Sequence, residues 1–190
     1  MSVSLKDVKA HMHELSNPKI AEHSLRFFKT GPGEYGEGDL FLGIRVPVTK
    51  KVARKFKELP VDEVLKLLKS KYHEERLLAL IMLVNRFKKE TDKEQKKIYE
   101  AYLSHTKYIN NWDLVDGSAH QIVGGYLFER DRKRLYQLAK SKSLWERRIS
   151  IIATYTFIKK NNFEDILKLF DALLPFGEKI AQEKIEVSFI

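Results

Sequence analysis

The sequence predicts an all-α protein in which helix pairs stack into a curved α-solenoid with a basic concave groove. Apolar residues recur three and four positions apart along most of the 190 residues, whereas the alternation typical of strands is nearly absent. Three similar segments begin at Glu74, Asn111 and Trp145. Their spacing of roughly 35 residues is typical of stacked helix pairs. One helix of each pair would then line the concave surface.

The first predicted helix follows Asn17-Pro18 and runs through Phe27 and Phe28, because asparagine is a favoured N-cap and proline suits the first helical position. Residues 31–39 contain four glycines and a proline and are predicted to form a loop. That loop is either a plain surface connection or a flexible acidic gate over a groove. Further helices are predicted at residues 47–58, 61–69, 74–88, 92–104, 112–123, 132–140, 144–160 and 163–174.

The chain is interpreted as one domain, residues 1–190, because no linker rich in proline, glycine or serine divides it. Its first residues lack the apolar core of a signal peptide, and its apolar runs are too short to cross a bilayer. We therefore expect a cytoplasmic protein without membrane contact. The absence of cysteine excludes disulfides, thiolate nucleophiles and zinc–thiolate sites.

The charge balance makes a polyanion the first partner to consider. The formal net charge is +9 and the isoelectric point is near 9.5. Residues 101–160 contain eleven lysines and arginines against five acids. Such a surface binds phosphates by releasing counterions, although any single cluster could also be an ordinary solvated helix face.

The most unusual stretch is YINNWDLVD at residues 108–116. Trp112 and Asp116 are four residues apart and therefore share a helix face, so an aromatic plate and a carboxylate point the same way. Asp113 suits the first helical turn, where acids complement the helix dipole, and Trp112 alone could be a core residue. No capping role explains Asp116, which makes it the candidate functional carboxylate.

A second stretch is SLWERRI at residues 143–149. Two adjacent arginines at the start of a helix oppose its dipole, so we expect a phosphate to bind at least one of them, Arg147 or Arg148. Internal pairing of Arg148 with Asp116 is the alternative. Trp145 is expected either to pack in the core or to contact the ligand.

No signature of a metal or nucleotide site is present. The six histidines form no metal-ligand constellation. The chain also lacks a P-loop, a Rossmann glycine fingerprint and a serine-nucleophile elbow. We therefore expect no metal ion.

Three segments, in this order, resemble those of the DNA alkylation-repair glycosylases of the AlkD type. They are FLGIRVP at residues 41–47, NWDLVD at 111–116 and LWERR at 144–148. The resemblance implies a HEAT-like-repeat fold, no metal or organic cofactor, and double-stranded DNA containing alkylated purines as the substrate. The implied reaction is hydrolysis of the N-glycosidic bond of purines alkylated at N3 or N7.

By matching position, the resemblance implies that Trp112 is the lesion-site tryptophan, Asp116 the catalytic aspartate and Arg148 the arginine that binds the DNA backbone. Phe27 falls where some relatives have a tyrosine. The residues expected to contact DNA are Lys50, Lys51, Arg54, Lys107, Trp145, Arg147 and Phe27. A monomer is expected.

The chemistry of these residue types agrees with that reaction. A purine alkylated at N3 or N7 is positively charged, so it can leave without a general acid. Asp116 can stabilise the oxocarbenium-like sugar and orient or deprotonate the attacking water. Trp112 would pack face-on against the cationic base.

Two other functions fit the same sequence. A helical-repeat module without catalytic activity could bind branched or damaged DNA, or a protein partner, with Trp112 and Asp116 serving only in packing and capping. A family member specialised for unusual DNA structures would bind branched DNA and excise little.

The end of the chain departs from the resemblance. Relatives usually carry a Gly-Trp-x-Leu-Arg-Glu pattern whose tryptophan forms the opposite wall of the lesion site, and nothing in residues 173–190 matches it. The tail closes instead on Val187, Phe189 and Ile190. We expect a protein that lacks its C-terminal repeat helices or has diverged there, excises bases slowly, and exposes a last helix prone to self-association.

Overall fold

A computed structural model describes residues 3–173, and within that range the regular secondary structure is helical, with one isolated bridge between Leu40 and Tyr72. Short 3-10 and π-helical turns lie at Thr106–Tyr108 and His120–Gly124. The α-helices are α1 (Leu5–Glu14), α2 (Pro18–Phe27), α3 (Val46–Lys55), α4 (Val61–Leu68), α5 (His73–Phe87), α6 (Asp92–Ser104), α7 (Trp112–Asp116), α8 (Gly125–Leu127), α9 (Lys133–Ala139), α10 (Leu144–Ala153), α11 (Tyr155–Ile158) and α12 (Glu164–Leu173).

The predicted fold class is confirmed. Helices α3 and α4 pack on α5, α9 packs on α10, and α7 contacts both α5 and α10, so successive helix pairs stack along the chain. The helix interfaces bury a continuous apolar core that extends from Val8 on α1 to Leu169 on α12. No helix among residues 3–173 is long and apolar enough to cross a membrane.

Local signals explain where several helices begin. Asn17 caps α2 through bonds from the amides of Lys19 and Ile20 to its side chain, as predicted. Helix α1 was not predicted, although Ser4 and Asp7 form the reciprocal side-chain and backbone bonds of a capping box. That box was the missed signal.

Two long predicted helices are divided, which corrects the sequence interpretation. Residues 112–123 contain α7 followed by a turn and the π-helical segment His120–Gly124. Residues 144–160 divide at Thr154, whose hydroxyl donates to the carbonyl of Ile151 and so competes with the regular helical bond. Hydrophobic periodicity continues through both interruptions, because each keeps the same face towards the core.

Residues 174–190 lie outside the described residues. The predictions about the missing Gly-Trp-x-Leu-Arg-Glu pattern and about the apolar end of the chain fall there and remain predictions. The described part of α12 and the residue before it expose three large apolar side chains, those of Phe163, Leu167 and Phe170.

Candidate active site

An ion pair between α7 and α10 lies at the centre of the candidate site. The Nε and Nη2 atoms of Arg148 donate to Oδ1 and Oδ2 of Asp116, each at 2.8 Å. This two-pronged geometry is the strong form of an arginine–carboxylate pair. The Asp116 side chain nevertheless remains 35% exposed, against 17% for Arg148. The internal pairing considered from the sequence is therefore present, and the carboxylate is still open to a ligand.

Trp112, one helical turn before Asp116, forms an aromatic wall with the end of α2. Its ring stacks on Phe28 with a centroid distance of 5.6 Å and an interplanar angle of 25°. Phe27 meets the same indole edge-on at 5.9 Å and is 55% exposed. Phe27 and Trp112, both predicted to contact the DNA substrate, are therefore in contact with each other, and Trp112 is only partly buried.

His73, at the start of α5, contacts the aromatic wall on its buried side. Its buried ring lies 4.7 Å from Phe28 and 4.9 Å from Phe41. Its Nε2 is bonded to Oδ2 of Asp113 at 2.8 Å. Because Asp113 directly follows Trp112, His73 holds both the backbone that carries the indole and the phenyl ring that stacks on it.

A buried charge network keeps His73 protonated. Burial opposes the imidazolium, but hydrogen bonds to Asp113 and Asp39 outweigh it and raise the pKa of His73 to about 9. Asp39 also accepts a bond of 2.6 Å from Arg76, and these partners hold the pKa of its carboxyl below the usual value despite burial. The structural role favoured for Asp113 agrees with this bond to His73.

The glycine-rich loop and the residues just before it reach the site at two points. Phe28, just before the loop, contacts Trp112, and Tyr35 within it meets Trp145 edge-to-face at 5.7 Å. The carboxylates of Glu34 and Glu37 accept bonds from amides within the loop, so they order the loop itself. Trp145 is partly buried against the core, and it lies one turn before Arg148.

A basic groove runs along α3, α5 and α7 and encloses about 1000 Å³; Gly117 lines it, whereas Asp116 and Arg148 do not. Lys50 and Arg54, both predicted to contact DNA, line it, and Asp113 and Gln121 mark its α7 end. Its cationic lining consists of Lys50, Arg54, Lys57, Arg86, Lys88 and Lys89. Only three acidic side chains oppose them: Glu58, Glu90 and Asp113.

The other predicted DNA-contacting residues, Lys51, Lys107 and Arg147, do not line the groove. Lys51 is exposed on α3 but does not line the groove, and Lys107 is exposed with its Nζ 4.8 Å from the ring centre of Tyr108. The prediction for Arg147 is corrected. Its side chain is 2% exposed, and its Nη1 donates to the carbonyl of Ser141 at 2.5 Å. Consecutive helical residues point about 100° apart, so Arg147 turns inward where Arg148 turns to Asp116.

Sequence reasoning missed His73, Asp39 and several groove cations. The run HEER at residues 73–76 looks like a solvated helix start, yet all four side chains are buried. The spacing of Lys50, Arg54 and Lys57 by four and three residues was the available signal for one basic helix face. Among residues 3–173 no group of three potential ligands is arranged to hold a metal ion.

Fold and site together define a class of protein: a helical-repeat protein in which one short segment, residues 112–117, carries a partly exposed carboxylate and an aromatic wall and also lines a cationic groove suited to a nucleic acid. Residues 8–185 match the family model described as DNA alkylation repair enzyme. The chain therefore belongs to that family, and its role is in DNA alkylation repair. A comparison with curated proteins gives no match.

Proposed function

We propose that the protein is a DNA glycosylase that hydrolyses the N-glycosidic bond of purines alkylated at N3 or N7 in duplex DNA. The observation that carries the proposal is Asp116. It is a partly accessible carboxylate, held in a fixed orientation by Arg148, one helical turn from Trp112. The next residue, Gly117, lines a groove whose charged side chains are mainly cationic. An exposed anion in such surroundings is suited to a ligand that carries positive charge of its own.

The charges of the reaction match this arrangement. The alkylated base leaves as a neutral purine, and the positive charge passes to the deoxyribose as the bond to C1′ breaks. Asp116 stabilises that oxocarbenium-like sugar and orients the attacking water, whose proton it accepts. Trp112 and Phe27 offer their faces to the cationic base before it leaves.

Arg148 has two partners in this proposal. In the unbound protein its Nε and Nη2 atoms donate to Asp116. In the DNA complex a backbone phosphate also binds this side chain, since a guanidinium presents five donors in a fixed fork. From Arg148, the phosphates of the bound duplex would extend along the groove that Lys50 and Arg54 line.

The two-pronged pair also favours a second candidate function. An Asp116 that serves only to fix α7 against α10 would suit a protein that binds damaged or branched DNA without cleaving it. That function predicts tight binding with no released base.

Chromatography of the reaction products distinguishes the glycosylase function from DNA binding without cleavage. The protein is incubated in excess with methylated duplex DNA, and free 7-methylguanine and 3-methyladenine are quantified. We expect both bases in the soluble fraction. If DNA binding persists but no base is released over a wide range of salt and pH, the glycosylase proposal is wrong and the binding function stands.

A further inference from the structure

His120 lies directly beyond the candidate catalytic residue, at the start of the π-helical segment that follows α7. It is four residues after Asp116 and eight after Trp112, and its Nδ1 lies 3.0 Å from the carbonyl oxygen of Asp116. The half-buried ring meets Tyr155 edge-to-face at 5.5 Å. Its own carbonyl accepts a bond from the hydroxyl of Thr156, which fixes the π-helical turn against α11.

Two lysines from the ends of other helices lie near enough to His120 for their charges to act on its ring. Lys88 follows the last residue of α5 and lines the basic groove, and Lys159 follows the last residue of α11, with its Nζ 4.4 Å from the ring centre of Tyr155. Both side chains are exposed. No carboxylate among residues 3–173 forms an ion pair with either lysine. The cluster therefore has positive charge that the described protein does not neutralise.

The ring of His120 is neutral in the unbound protein near neutral pH. Burial lowers its pKa, and the charges of Lys159 and Lys88 lower it further, although the bond to the Asp116 carbonyl and the Asp116 charge act in the opposite direction. A neutral imidazole facing a carbonyl must carry its proton on Nδ1. The acceptor atom Nε2 is then left without a hydrogen-bond partner in the described part of the chain.

We propose that Lys88, His120 and Lys159 bind one phosphate of the DNA backbone, and that His120 takes up a proton from solvent when the phosphate arrives. The inference rests on the proposed function only in taking duplex DNA as the ligand. The phosphate offsets the field of the two lysines, and the protonated ring donates from Nε2 to a phosphate oxygen. Four helical residues span about 6 Å, so this phosphate lies within one or two nucleotides of the damaged one.

Proton uptake by His120 makes the affinity for DNA depend on pH, and His120→Gln should remove this dependence. Dissociation constants for an undamaged duplex are measured by fluorescence anisotropy at fixed ionic strength from pH 5.5 to 8. We expect the wild-type affinity to fall at least three-fold more over this range than that of His120→Gln. His13→Gln is the matched control, because His13 is an exposed histidine on α1; it should retain the wild-type pH dependence.

The lysines are tested by the salt dependence of the same binding. Lys88→Ala and Lys159→Ala should each reduce the slope of log affinity against log salt by about 1, whereas Lys142→Ala, an exposed lysine outside the cluster, should leave the slope unchanged. Identical pH profiles for wild type and His120→Gln would overturn the inference. Because the probe is undamaged DNA and the readout is binding, that result is independent of whether the protein releases alkylated bases.

Discussion

The protonated His73 predicts a loss of stability at alkaline pH that a single substitution abolishes. Its pKa is raised from 6.5 to about 9 in the folded protein. At about 1.4 kcal/mol per unit, this shift corresponds to about 3 kcal/mol of folding free energy. Because the folded pKa is the higher one, the contribution is fully present below pH 6.5 and is lost as the pH rises through 9. Small domains have a total stability of only about 5–15 kcal/mol, so the loss is measurable.

The assay is urea unfolding followed by circular dichroism between pH 6.5 and 10, for wild type and His73→Gln. Glutamine keeps a donor for Asp113 but cannot be charged. We expect the stability difference between the two proteins to shrink by about 3 kcal/mol over this range, while titration of lysines and tyrosines cancels in the comparison. A difference that stays constant with pH would refute the assignment of the imidazolium.

A second readout follows the aromatic wall itself. The chain has two tryptophans, so Trp145→Phe leaves Trp112 as the sole indole fluorophore. Since His73 holds both Asp113 and Phe28, the emission of Trp112 should change as the pH passes through 9. The same background carrying His73→Gln should show no such transition.

Three further outcomes are expected. Arg148→Ala should weaken DNA binding and reduce the salt slope by about 1; an unchanged slope in binding titrations would exclude a phosphate contact. EDTA should leave base release unaffected, and a loss of release restored by added metal would contradict the metal-free mechanism. Leu167 and Phe170 are 66% and 55% exposed on α12, so α12 is a candidate surface for self-association. Changing both residues to glutamate should lower any concentration-dependent solution mass seen by light scattering. An unchanged mass would show that α12 does not mediate self-association.

The all-helical fold was predictable because its signals are local. The cap at Asn17 and the periodicity of α6 fix those elements from a few neighbouring residues. The turn and π-helical segment after α7 were not predictable, because they depend on packing between elements distant in the chain. Gly124, for example, packs so closely on Ala153 that a Cβ would lie 2.1 Å from the carbonyl oxygen of Ala153.

The candidate site was predictable in part for the same reason. Helical spacing alone gives the shared face of Trp112 and Asp116, whereas the ion pair with Arg148 joins residues 32 positions apart. Consecutive helical residues point about 100° apart, so Arg147 and Arg148 cannot share one helix face. The prediction that Arg147 contacts DNA did not take this into account. The contribution of His73 depends on its contacts with Phe28, Asp39 and Asp113, which are distant from it in the sequence. No local sequence pattern predicts these contacts.

The most direct test of the account is single-turnover release of 7-methylguanine from a duplex by wild type and by Asp116→Asn. Asp131→Asn, which changes an exposed acid away from the site, is the control. Loss of one well-placed electrostatic group costs about 2.7–4 kcal/mol of barrier. The account therefore predicts release slowed by about 100-fold to 1000-fold in Asp116→Asn, with DNA binding retained or tighter and the control unchanged. Equal rates for wild type and Asp116→Asn would contradict it.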